Sequence, residues 1–375
     1  MNTADENTWR TAIVLQGGGA MGAYEYGVLK ALYETRSKRL GRPFRPAVVA
    51  GISIGAITAA VLVGADQDPI ETLGEVWAED FTVSGSFPEV PPAFFPTMVP
   101  EFHQYLAMFL AMFGNRGMYQ VDATNFLAPW AMTSVYSTSP LTSTLARHVN
   151  FDKLNASDTH LVLGAIDVKT GMFTAFDNRT PGKPIHAENV VASGSLPVVF
   201  PMTRIHDQCY WDGGVLWNTP LSPAINALEL TENGSRDIKR ELIVVELFPV
   251  ETDKVPTDLK GILTRLVQLL FSSKLKLDAS LFDKVDSYIT LSDKIDEALK
   301  DSDQRAILND PGYQQLRQHR KIDALKVITC NLPDEMSNPA DFSRSTLEYR
   351  IKKGYEEALS RGIDNPAHLT RPPQL

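Results

Sequence analysis

Ala47-Val48-Val49-Ala50-Gly51-Ile52-Ser53-Ile54-Gly55-Ala56 is the stretch on which the fold turns. Its first four residues form an apolar run, short enough to be one buried strand. Gly51 to Gly55 then reads as a turn, and Ala56 to Val63 as the start of a helix. The same unit stands upstream: Thr11-Ala12-Ile13-Val14-Leu15 is a short apolar run, Gly17-Gly18-Gly19 stops it, and Val28, Leu29 and Leu32 recur at helical spacing. A strand, tight turn and helix repeated in this order predict an α/β fold with a parallel sheet and helices on its faces.

Outward from these units, His160 to Ile166 and Met172 to Phe176 read as two strands joined through Asp167 to Gly171 in a hairpin, and Glu241 to Leu247 as another strand. Between Ser84 and Asn115 the texture changes. Pro88, Pro91, Pro92, Pro96 and Pro100 break regular structure among Phe87, Phe94, Phe95 and Phe102, as expected of an inserted loop or lid. From Asp258 on the chain reads as helical, with Leu259 to Leu277 an amphipathic helix carrying Lys260, Arg265, Lys274 and Lys276, and Tyr355 to Leu359 closing another.

Composition excludes several classes. Of 375 residues, 43% are hydrophobic and 22% charged, the balance of a folded chain with a sizeable core. A net charge of −9 argues against nucleic acid as a partner, because phosphate binding needs clustered Lys and Arg. The polar, acidic start Met1 to Asn7 and the short run Ala12 to Leu15 predict no secretory leader. The longest apolar stretch, Tyr105 to Phe113, is about half of the roughly 20 residues a membrane span needs. A cytoplasmic location is the default expectation, with peripheral membrane contact left open. Cys209 and Cys330 are expected as reduced thiols.

Three motifs carry chemistry. Gly51-Ile52-Ser53-Ile54-Gly55 matches Gly-x-Ser-x-Gly between a strand and a helix, where a strained elbow lifts a serine hydroxyl clear and glycines remove clashes around it. Gly17-Gly18-Gly19-Ala20-Met21-Gly22 admits two readings. It matches the Gly-x-Gly-x-x-Gly of dinucleotide sites, which also want an acid about 20 residues on; Ser37, Lys38 and Arg39 stand there instead. Alternatively, its backbone N–H groups and the positive end of the following helix form an oxyanion hole. Neighbouring parallel strands would place this turn and the Ser53 elbow at one edge of the sheet. Tyr210-Trp211-Asp212-Gly213-Gly214 is either an aspartate given space by two glycines at a strand end, or a plain Asp-Gly turn. The seven histidines, His103, His148, His160, His186, His206, His319 and His368, each read as surface or packing residues rather than as a triad member.

In this order, the three motifs resemble those of the patatin-like phospholipases. The likeness runs from about Thr11 through Leu221 and includes Ala192-Ser193-Gly194-Ser195-Leu196-Pro197 and Phe200-Pro201 ahead of the aspartate. Beyond Leu221 it thins and is similar to the extended C-terminal part of a bacterial branch. The resemblance implies a three-layer α/β/α sandwich with a mainly parallel central sheet, a catalytic domain over residues 11–250, and a mostly helical extension over residues 251–375 packed on it. It implies a lipid acyl hydrolase of the phospholipase A or lysophospholipase type that needs neither metal nor cofactor. Ser53 would be the nucleophile and Asp212 the proton acceptor, with no histidine. Gly17, Gly18, Gly19, Ala20, Met21 and Gly22 would form the oxyanion loop, Gly51, Ile52, Ile54 and Gly55 the elbow, and Gly213 and Gly214 the rest of the aspartate motif. One departure is Met21, where the family often carries Arg or Lys; the backbone donors at Gly18 and Gly19 do not depend on that side chain. A neutral-lipid esterase or storage-polyester depolymerase would share all three motifs, and a noncatalytic lipid-binding protein would share the fold. The segment Phe87 to Phe113 and the helix from Leu259 are the candidate lipid contacts.

Overall fold

A computed structural model describes residues 8–83, 114–127, 129–231, 238–251, 255–272, 275–299, 305–318 and 321–366. Strand β1 (Trp9–Leu15) is paired on both edges, with β2 (Val48–Gly51) on one side and β10 (Lys239–Glu246) on the other. A separate three-stranded antiparallel sheet holds β3 (Gly114–Asn115), β4 (Tyr119–Val121) and β5 (Tyr136–Ser137). The remaining strands of the main sheet are β6 (His160–Asp167), β7 (Phe173–Asp177), β8 (Thr203–Ile205), β9 (Gln208–Asp212), β10 (Lys239–Glu246) and β11 (Ala324–Thr329). Their order is β11-β10-β1-β2-β6-β9-β8, with β7 also against β6. The run from β11 to β6 is parallel throughout; β7, β8 and β9 pair antiparallel, so the sheet is mixed but mostly parallel.

The central strands are apolar without alternation because both faces of the sheet are covered. Ala12, Val14, Val48, Ala50, Leu242 and Val244 pack with Leu221, Ala224 and Leu228 on one face. Ile13, Leu15, Val49, Leu163, Ile243 and Val245 pack into the larger core on the other. The helices that supply these layers are α1 (Gly22–Leu40), α2 (Ile54–Gly64), α3 (Ala187–Ser193) and α4 (Leu221–Leu230), with Phe271 of α5 (Leu259–Phe271) packed against the core; α6 (Leu275–Leu299) follows, and α7 (Arg344–Ser360) joins the larger core. This is the expected α/β/α sandwich. Helices α1 and α7 cross at glycine: a Cβ on Gly27 would stand 2.0 Å from the Ile351 carbonyl oxygen, and one on Gly354 2.1 Å from that of Tyr24.

The register explains how the two ends of the chemistry meet. Strand β2 pairs with residues 160–163 of β6 and stops at Gly51, opposite Leu163. Strand β9 pairs with residues 165–167 and stops at Asp212, opposite Ala165. Because β7 overlaps both stretches of β6, it must occupy the other edge. Strands β2 and β9 therefore share one edge of β6 and run head to head, their C-terminal ends two residues apart, about 7 Å.

Two features differ from the sequence reading. The region after Asp258, expected to be helical, also supplies β11, whose alternating burial is interrupted in hydropathy by a fully buried Lys326. That lysine donates to the carbonyls of Gly362 (2.6 Å) and Asn365, so its charge is met by backbone oxygens. The helix expected over Leu259 to Leu277 is two helices. Ser272 leaves helical geometry with ψ 149° while its Oγ donates to the Leu269 carbonyl, the local competition by which serine ends a helix. The aromatic segment Phe87 to Phe113 lies outside the described residues. Among the described residues, no helix is long and apolar enough to cross a membrane.

Candidate active site

Ser53 stands between β2 and α2 with φ 57° and ψ −122°, a conformation that costs a non-glycine residue on the order of 1–3 kcal/mol. The flanking glycines are a steric requirement. A Cβ on Gly51 would lie 2.3 Å from the Gly55 carbonyl oxygen, and one on Gly55 2.6 Å from that of Leu15. The strained turn is pinned by a residue 140 positions away: the Ser53 N–H donates to the Ser193 carbonyl (3.2 Å) and lies 3.1 Å from Ser193 Oγ. Ser193 Oγ in turn donates to the Gly164 carbonyl at 2.6 Å.

Asp212 ends β9, almost fully buried, and accepts hydrogen bonds from the Ser53 side chain and from the Gly214 N–H at 2.7 Å. Burial raises its pKa from 3.8 to about 6, and the two hydrogen bonds oppose that rise. The Asp212 N–H donates to the Ser195 carbonyl (2.9 Å), and Ser195 Oγ donates to the Val191 carbonyl (2.9 Å). The stretch Ala192 to Pro197 thus holds both ends of the pair, Ser53 through Ser193 and Asp212 through Ser195. Gly213 is needed because a Cβ there would meet the Gly164 carbonyl oxygen at 2.7 Å.

The glycine loop closes the third side. Gly17 lies against the elbow, so closely that a Cβ would be 2.9 Å from Ser53 Cβ. Its N–H is taken by Asn218 Oδ1 (3.1 Å), that of Ala20 by the Pro339 carbonyl (2.8 Å), and that of Met21 by the Gly18 carbonyl (3.1 Å). Among the described residues, the N–H groups of Gly18 and Gly19 have no acceptor. Gly19 adopts φ +55°, and a Cβ on it would stand 2.6 Å from the Pro339 carbonyl oxygen. Met21 is buried in the core rather than directed to the site.

Ser53, Asp212 and Gly17 to Gly19 line one cavity of about 420 Å³, within the range of small-molecule sites. Its walls are apolar, with Ile54, Ile57, Leu141, Phe200, Phe248 and Phe271 among them, and no described histidine lines it. His148 and His160 sit instead against Asp80 and Asp177, each at 2.8 Å. A larger open groove of about 1200 Å³, lined by Arg10, Arg45, Glu71 and Lys153 among others, holds none of the motif residues. Ile52 and Ala20 pack beneath the site, fully buried, and Gly22 faces Ile54, which a Cβ would meet at 2.6 Å.

Sequence reasoning missed Ser193, Ser195, Asn218 and Gln16. Gln16 Nε2 donates to Thr219 Oγ1 (2.8 Å), and its Oε1 accepts from the Leu247 N–H (2.6 Å), fastening the entry of the glycine loop to the end of β10. The serines lay within a stretch already notable for its resemblance. Nothing local marks Asn218 or Gln16, whose partners lie from 53 to more than 200 residues away.

Among solved structures, the chain is similar to VipD from Legionella pneumophila (14% identity, TM-score 0.40), covering 94% of this chain and 66% of that one. It is also similar to the type III effector protein ExoU (14% identity, TM-score 0.27), covering 96% of this chain and 76% of that one. No match is found among curated proteins. The family model described as Patatin-like phospholipase matches residues 13–225, more than half of the chain, from within β1 to beyond Asp212, and includes the glycine loop, Ser53 and Asp212. The chain belongs to the patatin-like phospholipase family.

Proposed function

We propose that this protein is a lipid acyl hydrolase that cleaves carboxylic ester bonds through Ser53 and Asp212. The observation that carries the reading is the hydrogen-bonded Ser53–Asp212 pair at the wall of an apolar cavity of about 420 Å³. In this mechanism Asp212 takes the Ser53 proton as Oγ attacks the ester carbonyl, and the N–H groups of Gly18 and Gly19 receive the negative charge of the tetrahedral intermediate. Collapse releases the alcohol, which takes the proton from Asp212, and leaves an acyl-serine. Asp212 then deprotonates a water that attacks the acyl carbon; the acyl–Oγ bond breaks, Ser53 Oγ recovers the proton from Asp212, and the fatty acid leaves. A carboxylate with pKa about 6 is a better base near neutral pH than an exposed aspartate, and burial supplies that gain.

Phospholipid or lysophospholipid is the proposed substrate, with the acyl chain in the cavity. Ser53→Ala and Asp212→Asn should each reduce fatty-acid release from mixed phospholipid vesicles by at least about 10³-fold with the fold intact. Wild-type rates in either variant would overturn the dyad.

The cavity opens beside exposed apolar side chains, which supports peripheral contact with a lipid surface. Helix α5, whose Val267 and Phe271 line the cavity, exposes Leu259, Ile262, Leu266, Leu269 and Leu270. Val215 to Trp217, directly after the Asp212 motif, are exposed as well. An apolar patch continuous with a lipid site is the usual mark of an interfacial contact. Liposome flotation should retain the wild type, and Leu266→Ser with Leu270→Ser should weaken retention several-fold; no retention of the wild type on any vesicle would contradict the contact.

A further inference from the structure

The Asn218 carboxamide is placed where the two halves of the site meet. It is buried, and it is bonded to the glycine loop from both of its ends: Oδ1 accepts from the Gly17 N–H at 3.1 Å, and Nδ2 donates to the Gly17 carbonyl at 2.9 Å. A second donation from Nδ2, at 2.7 Å, goes to the carbonyl of Phe271, the last residue of α5. It also stands against the aspartate motif, since a Cβ on Gly214 would lie 2.8 Å from Asn218 Oδ1 and 3.1 Å from Asp212 Oδ1. One side chain thus touches the loop, the strand end that carries the base, and a helix that walls the cavity.

Its effect on the loop follows from hydrogen-bond arithmetic. Engaging both the N–H and the carbonyl of Gly17 fixes the orientation of that residue's two peptide planes. The plane between Gly17 and Gly18 carries the Gly18 N–H, one of the two loop donors left without an acceptor. Glycine resists no rotation of its own, so a Gly-Gly-Gly loop needs an external clamp to keep its donors aimed. The same amide satisfies a carbonyl at the end of α5, which would otherwise lack an intrahelical partner. Aspartate at this position keeps the acceptor and replaces both donations with oxygen facing oxygen.

We infer that Asn218 is the positioning residue of the oxyanion loop: it holds the Gly17 peptides so that the Gly18 N–H faces the cavity, and it ties that alignment to helix α5. This rests on the proposed reading of Gly18 and Gly19 as oxyanion donors. The test uses the full chain carrying Asn218→Asp, with Asn218→Ala as a second variant, on a medium-chain p-nitrophenyl ester. Competent sites are counted by end-point labelling with a fluorophosphonate, so that any loss of folded protein is divided out. Per labelled site, kcat should fall about 10²-fold in both variants while KM changes less than about 3-fold, the signature of a lost transition-state interaction. Affinity for a trifluoromethyl ketone, which forms a charged tetrahedral adduct on Ser53, should fall by a similar factor. Affinity for a non-reacting ether analogue of the substrate should hold.

A merely structural role would move none of the per-site values, and kcat with ketone affinity within about 3-fold of wild type in both variants would overturn the inference. Equal losses for ketone and ether would overturn it as well, by placing Asn218 in ground-state binding. Failure of the underlying reading is distinguishable, because the wild type itself would then show no Ser53-dependent turnover and no Ser53 label.

Discussion

At the scale of single residues, the site exchanges stability for reactivity. Asp212 is held at a pKa of about 6 against 3.8 in an exposed chain, so the folded state binds its proton more tightly than the unfolded state does. Stability therefore declines as pH rises from about 4 to about 6 and stays lower above, a loss of up to about 3 kcal/mol. Asp212→Asn, which cannot ionise, should raise the unfolding free energy at pH 8 by roughly 1–3 kcal/mol while abolishing turnover, and denaturant titration at pH 4 and pH 8 should show the gain only at the higher pH. In the wild type, kcat/KM should rise with pH through an apparent pKa near 6, since the ionised carboxylate is the proposed base. Ser53, Asp212 and the glycines could be picked out as candidates from sequence because each sits in a short contiguous motif. Asn218 and Ser193 could not, because serine and asparagine suit any turn and their bonds close loops of 201 and 140 residues.

At the scale of elements, the reading of short apolar runs between glycines found the parallel strands and the β6–β7 hairpin. It missed β11, since Lys326 inside Ala324-Leu325-Lys326-Val327-Ile328-Thr329 hides an alternating strand unless the carbonyls that receive its amine are known. It also joined α5 to α6 across Ser272, where the apolar spacing continues but the backbone does not. The α1–α7 crossing is a third case of local ambiguity. Gly27 and Gly354 each look like weak points in a helix, yet they are where two backbones touch. Gly354→Ala should therefore destabilise by about 2–3 kcal/mol instead of gaining helix propensity, as read by chemical denaturation; a neutral or stabilising result would mean the helices can move apart at no cost.

For the whole molecule, the decisive feature is one that alternation of elements does not specify. The sheet leaves an edge of β6 vacant where β2 stops, and β9 returns antiparallel to fill it, bringing Asp212 to Ser53. The C-terminal third takes part in the same site: Pro339 accepts from the Ala20 N–H, Phe271 and Phe342 line the cavity, and β11 extends the sheet. A chain ending at residue 320 should consequently fail to give soluble, fluorophosphonate-reactive protein, whereas one ending at residue 366 should react like the full chain.

The most direct test of the account is to map the fluorophosphonate adduct by peptide mass spectrometry in the wild type and Asp212→Asn. The account predicts a single adduct on Ser53 in the wild type and labelling at least about 100-fold slower in Asp212→Asn. An adduct on another residue, or wild-type labelling rates without the Asp212 carboxylate, would contradict it.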